Sequence, residues 1–328
     1  MPNSSLSRRK AVIALAMTTI AAAAGAQQQP APYPNKPIKI LVGVPPGGST
    51  DTVARLFAEW LRESMGQPTI VENRPGANTA VAADAVAHSA PDGYTLLVAT
   101  DAFITVPLLK KASFDPFKDF APVATLTVNP FVMAVHPSLP VNTLKEFIAY
   151  AKARPDKLSY ASSGNGGATH LGTEKFKMLT GTRIIHIPYR GAGPALNDAI
   201  GGQVELSMWT PLAIGTHVAT GKLKPLAVTG PHRVSTLPQV PTFAEAGLPA
   251  FDHQAWQGVF APAGTPQPVI DRLNVEIKKM LAQPRIKETL DKQGVDPFYL
   301  AAEKVPEFLR RESAGLATLV KSANVTMD

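Results

Sequence analysis

The chain contains no cysteine. That excludes disulfide staples, thiolate metal sites, a cysteine nucleophile and a lipid-modified cysteine anchor, so stability has to come from packed cores. Charged residues make up only 17% of the chain, and the net charge of +7 owes three of its positive charges to Arg8, Arg9 and Lys10 at the very start. Elsewhere no dense Lys/Arg stripe with interleaved aromatics occurs, so nucleic acid finds no footprint. Beyond the first 26 residues no apolar run is long enough to span a bilayer. The chain also lacks a GxSxG elbow, a GxxxxGK[ST] phosphate loop, a histidine cluster with metal-ligand spacing and a paired-carboxylate motif, so no cofactor or metal is expected.

What is present begins with a leader. Met1 to Ala26 is basic, then apolar from Ala11 to Ala24, and closes on small residues, Ala24, Gly25 and Ala26, before a Gln run. This predicts a secretory signal cleaved near Ala26 and an exported, periplasmic product. The Arg8–Arg9 pair leaves both the Sec and the twin-arginine routes open. The remaining length suits two lobes.

Ile38 to Leu61 organises the first lobe. Ile38, Ile40, Leu41, Val42 and Val44 read as a buried strand, stopped by Pro45, Pro46, Gly47 and Gly48. Ser49, Thr50 and Asp51 are helix-starting types, and Val53, Leu56, Phe57, Trp60 and Leu61 recur at helical spacing. Such a turn aims unpaired N–H groups and a positive helix end at an anion. Asp51 is either a cap or a ligand contact. The pattern repeats where a strand at Leu158 to Ala161 leads into a loop, Ser162 to Gly167, and a helix carrying Leu171, Phe176, Met178 and Leu179. Two facing anion sites suggest a cleft.

Between these units, strands at 69–72 and 94–100 flank a small-residue helix at 79–88. Thr100 and Asp101 then fall on the same sheet edge as Gly47 and Gly48, and Asp101 either caps the next segment or joins the site. Phe114 to Phe120 reads as an irregular aromatic loop. A β-rich stretch from Val123 to His136, broken at Pro130, could cross between lobes. Thr143 and Glu146 form a capping box that opens a second α/β unit. In that unit strands at 183–189, 204–209 and 223–229 alternate with helices at 194–200 and 211–219. A short helix is predicted at 243–246 and a strand at 255–261. Helices around Ile270 to Leu281 and Val305 to Val320 should pack back on the first lobe. Strand and helix alternating at this spacing predict an α/β fold with mostly parallel sheets flanked by helices. The expected division is 33–125 plus 253–328 for lobe 1 and 126–252 for lobe 2, with two crossings that make a hinge and a cleft.

The motifs are specific. TyrProAsnLysProIle at 33–38, the GlyGlySerThrAsp loop at 47–51, ValGluAsnArgProGly at 71–76, ProAspGlyTyrThrLeuLeu at 91–97, HisIleProTyrArgGly at 186–191, ValProThrPheAlaGluAlaGly at 240–247 and AlaProAlaGlyThrPro at 261–266 resemble, in order, the Bug or TctC-like family. These are the periplasmic solute receptors of tripartite tricarboxylate transporters. The resemblance implies a two-lobed type II periplasmic-binding-protein fold, no catalysis, a monomer, and integral membrane transporter subunits as partners. It also implies a small organic acid as ligand, whether dicarboxylate, tricarboxylate, amino acid or aromatic acid. Its carboxylate would be held by backbone amides and small hydroxyls of two loops. The matching positions are Pro46, Gly47, Gly48, Ser49 and Asp51 in the first, and Tyr189, Arg190, Gly191, Ala192, Gly193, Pro194 and Ala195 in the second. Ser162, Ser163, Asn165 and His170 match as well.

Two positions depart from the family pattern. Asp101 stands where small hydroxyls are common, and if it points inward it would repel a second carboxylate and favour an amine, a hydroxyl or a cation. Trp209 replaces a frequent Phe, and with Tyr189 it either stacks on a planar acid or belongs to the lobe core. Arg190 either strengthens the field or lies outside as a solvated charge. A signalling receptor is the alternative use of such a fold. A hydrolase would have to use Ser162 or Ser163 with His170 as base.

Overall fold

The computed structural model describes residues 33–325. The leader expected at 1–26 lies outside the described residues. Strand β1 (Ile38–Val42) is buried at every position except Lys39, as an apolar strand covered on both faces should be. After the Pro45–Gly48 stop comes α1 (Ser49–Met65), which buries Val53, Ala54, Phe57, Ala58 and Leu61 along one face and ends at Gly66 in the left-handed region. The first lobe continues through β2 (Thr69–Asn73), α2 (Ala80–Ala87), β3 (Thr95–Thr100), α3 (Ala102–Leu109) and β4 (Phe120–Asn129).

Pro130 and Phe131 then carry the chain into β5 (Val132–Val135) of a different sheet. Proline lacks the N–H that a ladder needs, so the break at Pro130 is where one sheet can end. The second lobe runs through α4 (Leu144–Lys152), β6 (Ser159–Ser162), α5 (Ala168–Thr180), β7 (Ile185–Pro188), α6 (Ala192–Ile200), β8 (Leu206–Trp209), α7 (Pro211–Ala219) and β9 (Lys224–Val228). The return strand β10 (Ala255–Pro262) rejoins the first sheet, followed by α8 (Gln267–Ala282), α9 (Pro284–Asp291), β11 (Asp296–Pro297) and α10 (Val305–Ser322).

The first sheet has the order β11-β4-β10-β3-β1-β2 and the second β7-β6-β8-β5-β9. Each is mixed, because every crossing strand pairs antiparallel: β10 with β3 and β4, β5 with β8 and β9. The cores follow strand parity. In the second lobe Met133, Tyr160 and Met208 face a cluster with Phe147 and Phe176, while Val132, Ala161 and Trp209 face one with Ala195 and Ile214.

Several expected elements differ. Residues 243–246 form a turn and no helix: Thr242 and Glu245 exchange backbone-to-side-chain bonds of 2.7 and 3.1 Å, and Gly247 halts the chain before a second turn forms. The strand expected at 183–189 is shorter, and α6 starts two residues before Pro194. Helices α3 and α9 had no matching expectation. Phe114 and Phe120 of the aromatic loop are buried against Phe103 of α3, with centroids 5.7 and 4.9 Å from its ring. Among the described residues no helix is long and apolar enough to cross a membrane.

Candidate functional site

Strand direction decides where the helix starts lie. Both β3 and β4 pair antiparallel with β10, so the C-terminal ends of β1 to β4 share one edge of the first sheet. In the second sheet Val132, the first residue of β5, lies opposite Trp209, the last of β8, and β6 and β7 run parallel to β8. The C-terminal ends of β6, β7 and β8 therefore also abut the crossover. Helices α1 and α3 on one side and α5, α6 and α7 on the other begin at these edges, so their positive ends lie on the crossover side of each sheet.

At the start of α1 the backbone turns through Gly47, whose φ of 95° suits glycine. The carboxylate of Asp51 is buried beneath this turn. It accepts from the Gly47 N–H at 3.0 Å, Arg55 Nε at 2.9 Å and Asn73 Nδ2 at 2.9 Å. Burial pushes this carboxyl up, but the bonds from Arg55, Gly47 and Asn73 outweigh it and hold Asp51 below the ordinary range. Asp51 is therefore neither an ordinary helix cap nor a free ligand contact: both its oxygens serve the turn. The Gly47 amide, expected to face the ligand, is committed to it.

The other hydroxyls of the first turn are held from behind. Thr127 Oγ1 donates to Gln257 Oε1 at 2.8 Å, Gln257 Nε2 to Thr50 Oγ1 at 3.0 Å, and Asn129 Nδ2 to Ser49 Oγ at 2.9 Å. Thr127 and Asn129 lie on β4 and Gln257 on β10, so the crossover strands themselves fix α1. Among the described residues the amides of Gly48, Ser49 and Thr50 have no partner, as first-turn geometry requires. Pro46 and Gly48 are exposed beside them.

In the second lobe two loops are joined. Tyr189 N–H donates to the Ser162 carbonyl at 3.1 Å and Gly191 N–H to the Ser163 carbonyl at 3.2 Å. The Gly191 amide is thus also spent, Pro194 has none to offer, and Ala192 and Gly193 present the open N–H groups of α6. Ala192, Gly193 and Pro194 are exposed, and Ala195 is core. Arg190 is exposed with no ion pair among the described residues. The Tyr189 hydroxyl donates to Asp198 at 2.7 Å, which ties the ring to α6.

The Ser162–Gly167 loop rests on a histidine pair. Ser162 is fully buried, its hydroxyl 2.6 Å from His186 Nε2, and His170 Nδ1 accepts from the Gly166 N–H at 3.0 Å. Burial pushes both imidazoles down to about 4, with His170 adding to the shift on His186. The expected pairing of Ser162 with His170 is not what the structure shows: the buried Ser162 hydroxyl meets His186, and the alternative, Ser163, meets Thr169 and not His170. Ser163 and Thr169 hydroxyls meet at 3.3 Å, and Asn165 is half-buried at the loop tip.

Thr100 and Trp209 resolve by strand parity, and Asp101 by its place at the start of α3. Thr100 pairs with Gln257 and shares its face toward α1, and its hydroxyl accepts from the Ala102 N–H at 3.3 Å. Asp101 is half-buried at the head of α3, where burial, with Glu312 of α10 adding repulsion, raises its carboxyl to about 6. Trp209 is 3% exposed within the core cluster that contains Ala195. Sequence reading missed Asn73, Asn129, Gln257 and His186 as supports; Asn129 at a strand end before proline was the one local signal.

A family model, the tripartite tricarboxylate transporter family receptor, matches residues 53–325. The chain belongs to this receptor family. Among solved structures it is similar to the periplasmic binding protein BugD, with 34% identity and a TM-score of 0.77 over 90% of this chain and 100% of that one. A protein of R. palustris solved with adipate is 33% identical, with a TM-score of 0.80 over 90% and 99% of the two chains. MatC from Rhodopseudomonas palustris, solved with bound malate, is also 33% identical, with a TM-score of 0.74 over 88% and 100%. The receptor thus has the two-lobed α/β fold of periplasmic binding proteins.

Proposed function

We propose that the protein is a periplasmic receptor that captures a small dicarboxylate between its lobes and delivers it to a tripartite-type membrane transporter. The observation that carries this reading is that α1 and α6, each starting on the crossover side of its own sheet, both offer open amides at a positive helix end: Gly48, Ser49 and Thr50 from one, Ala192 and Gly193 from the other. Adipate and malate, found with relatives, each carry two carboxylates, one for each helix end.

Binding on this reading needs no arginine clamp. Amides fixed before the ligand arrives lose little freedom on binding, and the cleft removes the water that competes for them. Ser49 adds a hydroxyl, Arg190 adds a positive field at the mouth of the α6 turn, and Asp51 keeps the first turn in shape. Ser162, Ser163, Asn165 and His170 act as the rigid floor, and Tyr189 and Trp209 as wall and core. No bond in the ligand is made or broken.

Mass spectrometry of the acid that co-purifies, followed by calorimetry with adipate, malate and the corresponding diamides, tests the reading. The acids should bind at least tenfold more tightly than the diamides. Equal affinity for acid and diamide would overturn it. Deleting the gene should abolish uptake of the identified acid and leave other uptake intact.

A further inference from the structure

Successive residues of a strand point to opposite faces. On β10, Gln257 reaches Thr50 of α1, whereas its neighbour Trp256 packs edge-on against Phe308 of α10, centroids 5.7 Å apart. On β4, Thr127 and Asn129 hold the α1 side, and Val128 between them lines a cavity of about 550 Å³. This cavity therefore lies behind the crossover strands, on the face opposite the α1 turn. It shares no lining residue with the acid site described above.

Both lobes build it. Trp256, Phe298 and Phe308 supply an aromatic wall, with Phe298 and Phe308 centroids 5.4 Å apart, and Lys175 and Met178 of α5 close it from the second lobe. Asp252, Glu312 and Asp296 add three carboxylates, the last in contact with His232 at 3.2 Å. Burial raises the Glu312 carboxyl on balance, with Arg311 and Lys175 pulling it down and the charge of Asp252 pushing it up. The two cations nearby already have contacts: Lys175 Nζ donates to the Asp252 carbonyl, and Arg311 lies over the Phe308 ring and stands 3.7 Å from the Glu312 carboxylate. The indole Nε1 of Trp256, a side chain 2% exposed, and Nε2 of Gln254 have no acceptor among the described residues.

We infer that this cavity is a second small-molecule site, for an organic ammonium compound that also carries an oxygen acceptor. The ammonium would lie between the aromatic wall and the carboxylates of Glu312 and Asp252, where cation–π attraction and charge act together. The oxygen would take up the orphaned donors of Trp256 and Gln254, whose burial without a partner is otherwise a cost.

Calorimetry of the full mature protein with choline, with tetramethylammonium and with the neutral carbon isostere of choline tests the assignment. Choline should saturate at one equivalent whether or not malate is present, tetramethylammonium should bind several-fold more weakly, and the isostere should give no binding. Glu312→Gln should weaken choline about tenfold and leave malate affinity unchanged. A second readout uses the wild type alone: of the three indole N–H resonances, the one lost in Trp256→Phe should shift on addition of choline. No saturation below about 10 mM choline, displacement of choline by malate, equal binding of the isostere, an unaltered affinity in Glu312→Gln or an unmoved Trp256 resonance would each overturn the proposal.

Discussion

His170 and His186 lie face to face, their ring centroids 3.8 Å apart and their planes 15° from parallel, directly beneath the Ser162–Gly167 loop. Tyr160 extends the stack on the His186 side at 4.8 Å, and its hydroxyl donates a hydrogen bond to Glu174 Oε1 at 2.6 Å. Burial disfavours charging either imidazole, and a charge on one further disfavours a charge on the other, so both rest neutral at neutral pH. Neutrality lets His170 accept from Gly166 and so fixes the loop.

Stability should therefore fall as the medium is acidified. The folded protein takes up these protons near 4, the unfolded chain near the ordinary 6.5, so the contribution is complete above 6.5 and is lost as pH falls from there toward 4. Each unit of depression corresponds to about 1.4 kcal/mol. Urea midpoints measured between pH 7.5 and 4.5 should show the decline, and His186→Gln, which keeps a polar partner for Ser162, should flatten it. Equal slopes in the two proteins would refute the assignment.

Asp101 should act with the opposite sign. Its folded carboxyl titrates near 6, above the unfolded value of 3.8, so it costs stability above pH 6 and the cost disappears as pH falls below 3.8. Asp101→Asn is expected to be more stable than the wild type at pH 7.5, with the gap closing on acidification. A variant less stable at pH 7.5 would show that the charged form has a partner.

Asp51→Ala removes the buried acceptor shared by Gly47, Arg55 and Asn73. The loss should be on the order of 2 kcal/mol, the scale of charge-assisted bonds whose donors are left unpaired. Acid affinity should fall with it, since the turn that aims the α1 amides is no longer held. Unchanged denaturation midpoints would mean that water replaces the carboxylate at no cost.

Gly48 and Gly191 separate ligand contact from backbone strain. Gly48 has an extended backbone, and a Cβ there would meet nothing within 4 Å, so Gly48→Val should leave stability unchanged and weaken acid binding tenfold or more. Gly191 has φ of 110°, so Gly191→Ala should also cost about 1 kcal/mol of stability. Calorimetry and denaturation on both variants give the comparison. Full acid affinity in Gly48→Val would remove the α1 turn from the site.

The sequence alone determined the units. Apolar alternation bounded by glycine and proline marked β1, α1, β6 and the loop after it, because those signals are local: a strand must stop where Pro45 and Pro46 withdraw donors, and Pro130 must break a ladder. Tertiary structure decided which groups those units spend on one another. Thr50 meets Gln257 across 207 residues of chain, and Gly47 and Gly191 look identical to Gly48 in sequence although their amides are already bonded. A period of two shows that Trp256 and Gln257 point apart, but which of them faces α1 is set by the register of β10 against β3 and β4, a long-range pairing that no window of residues contains.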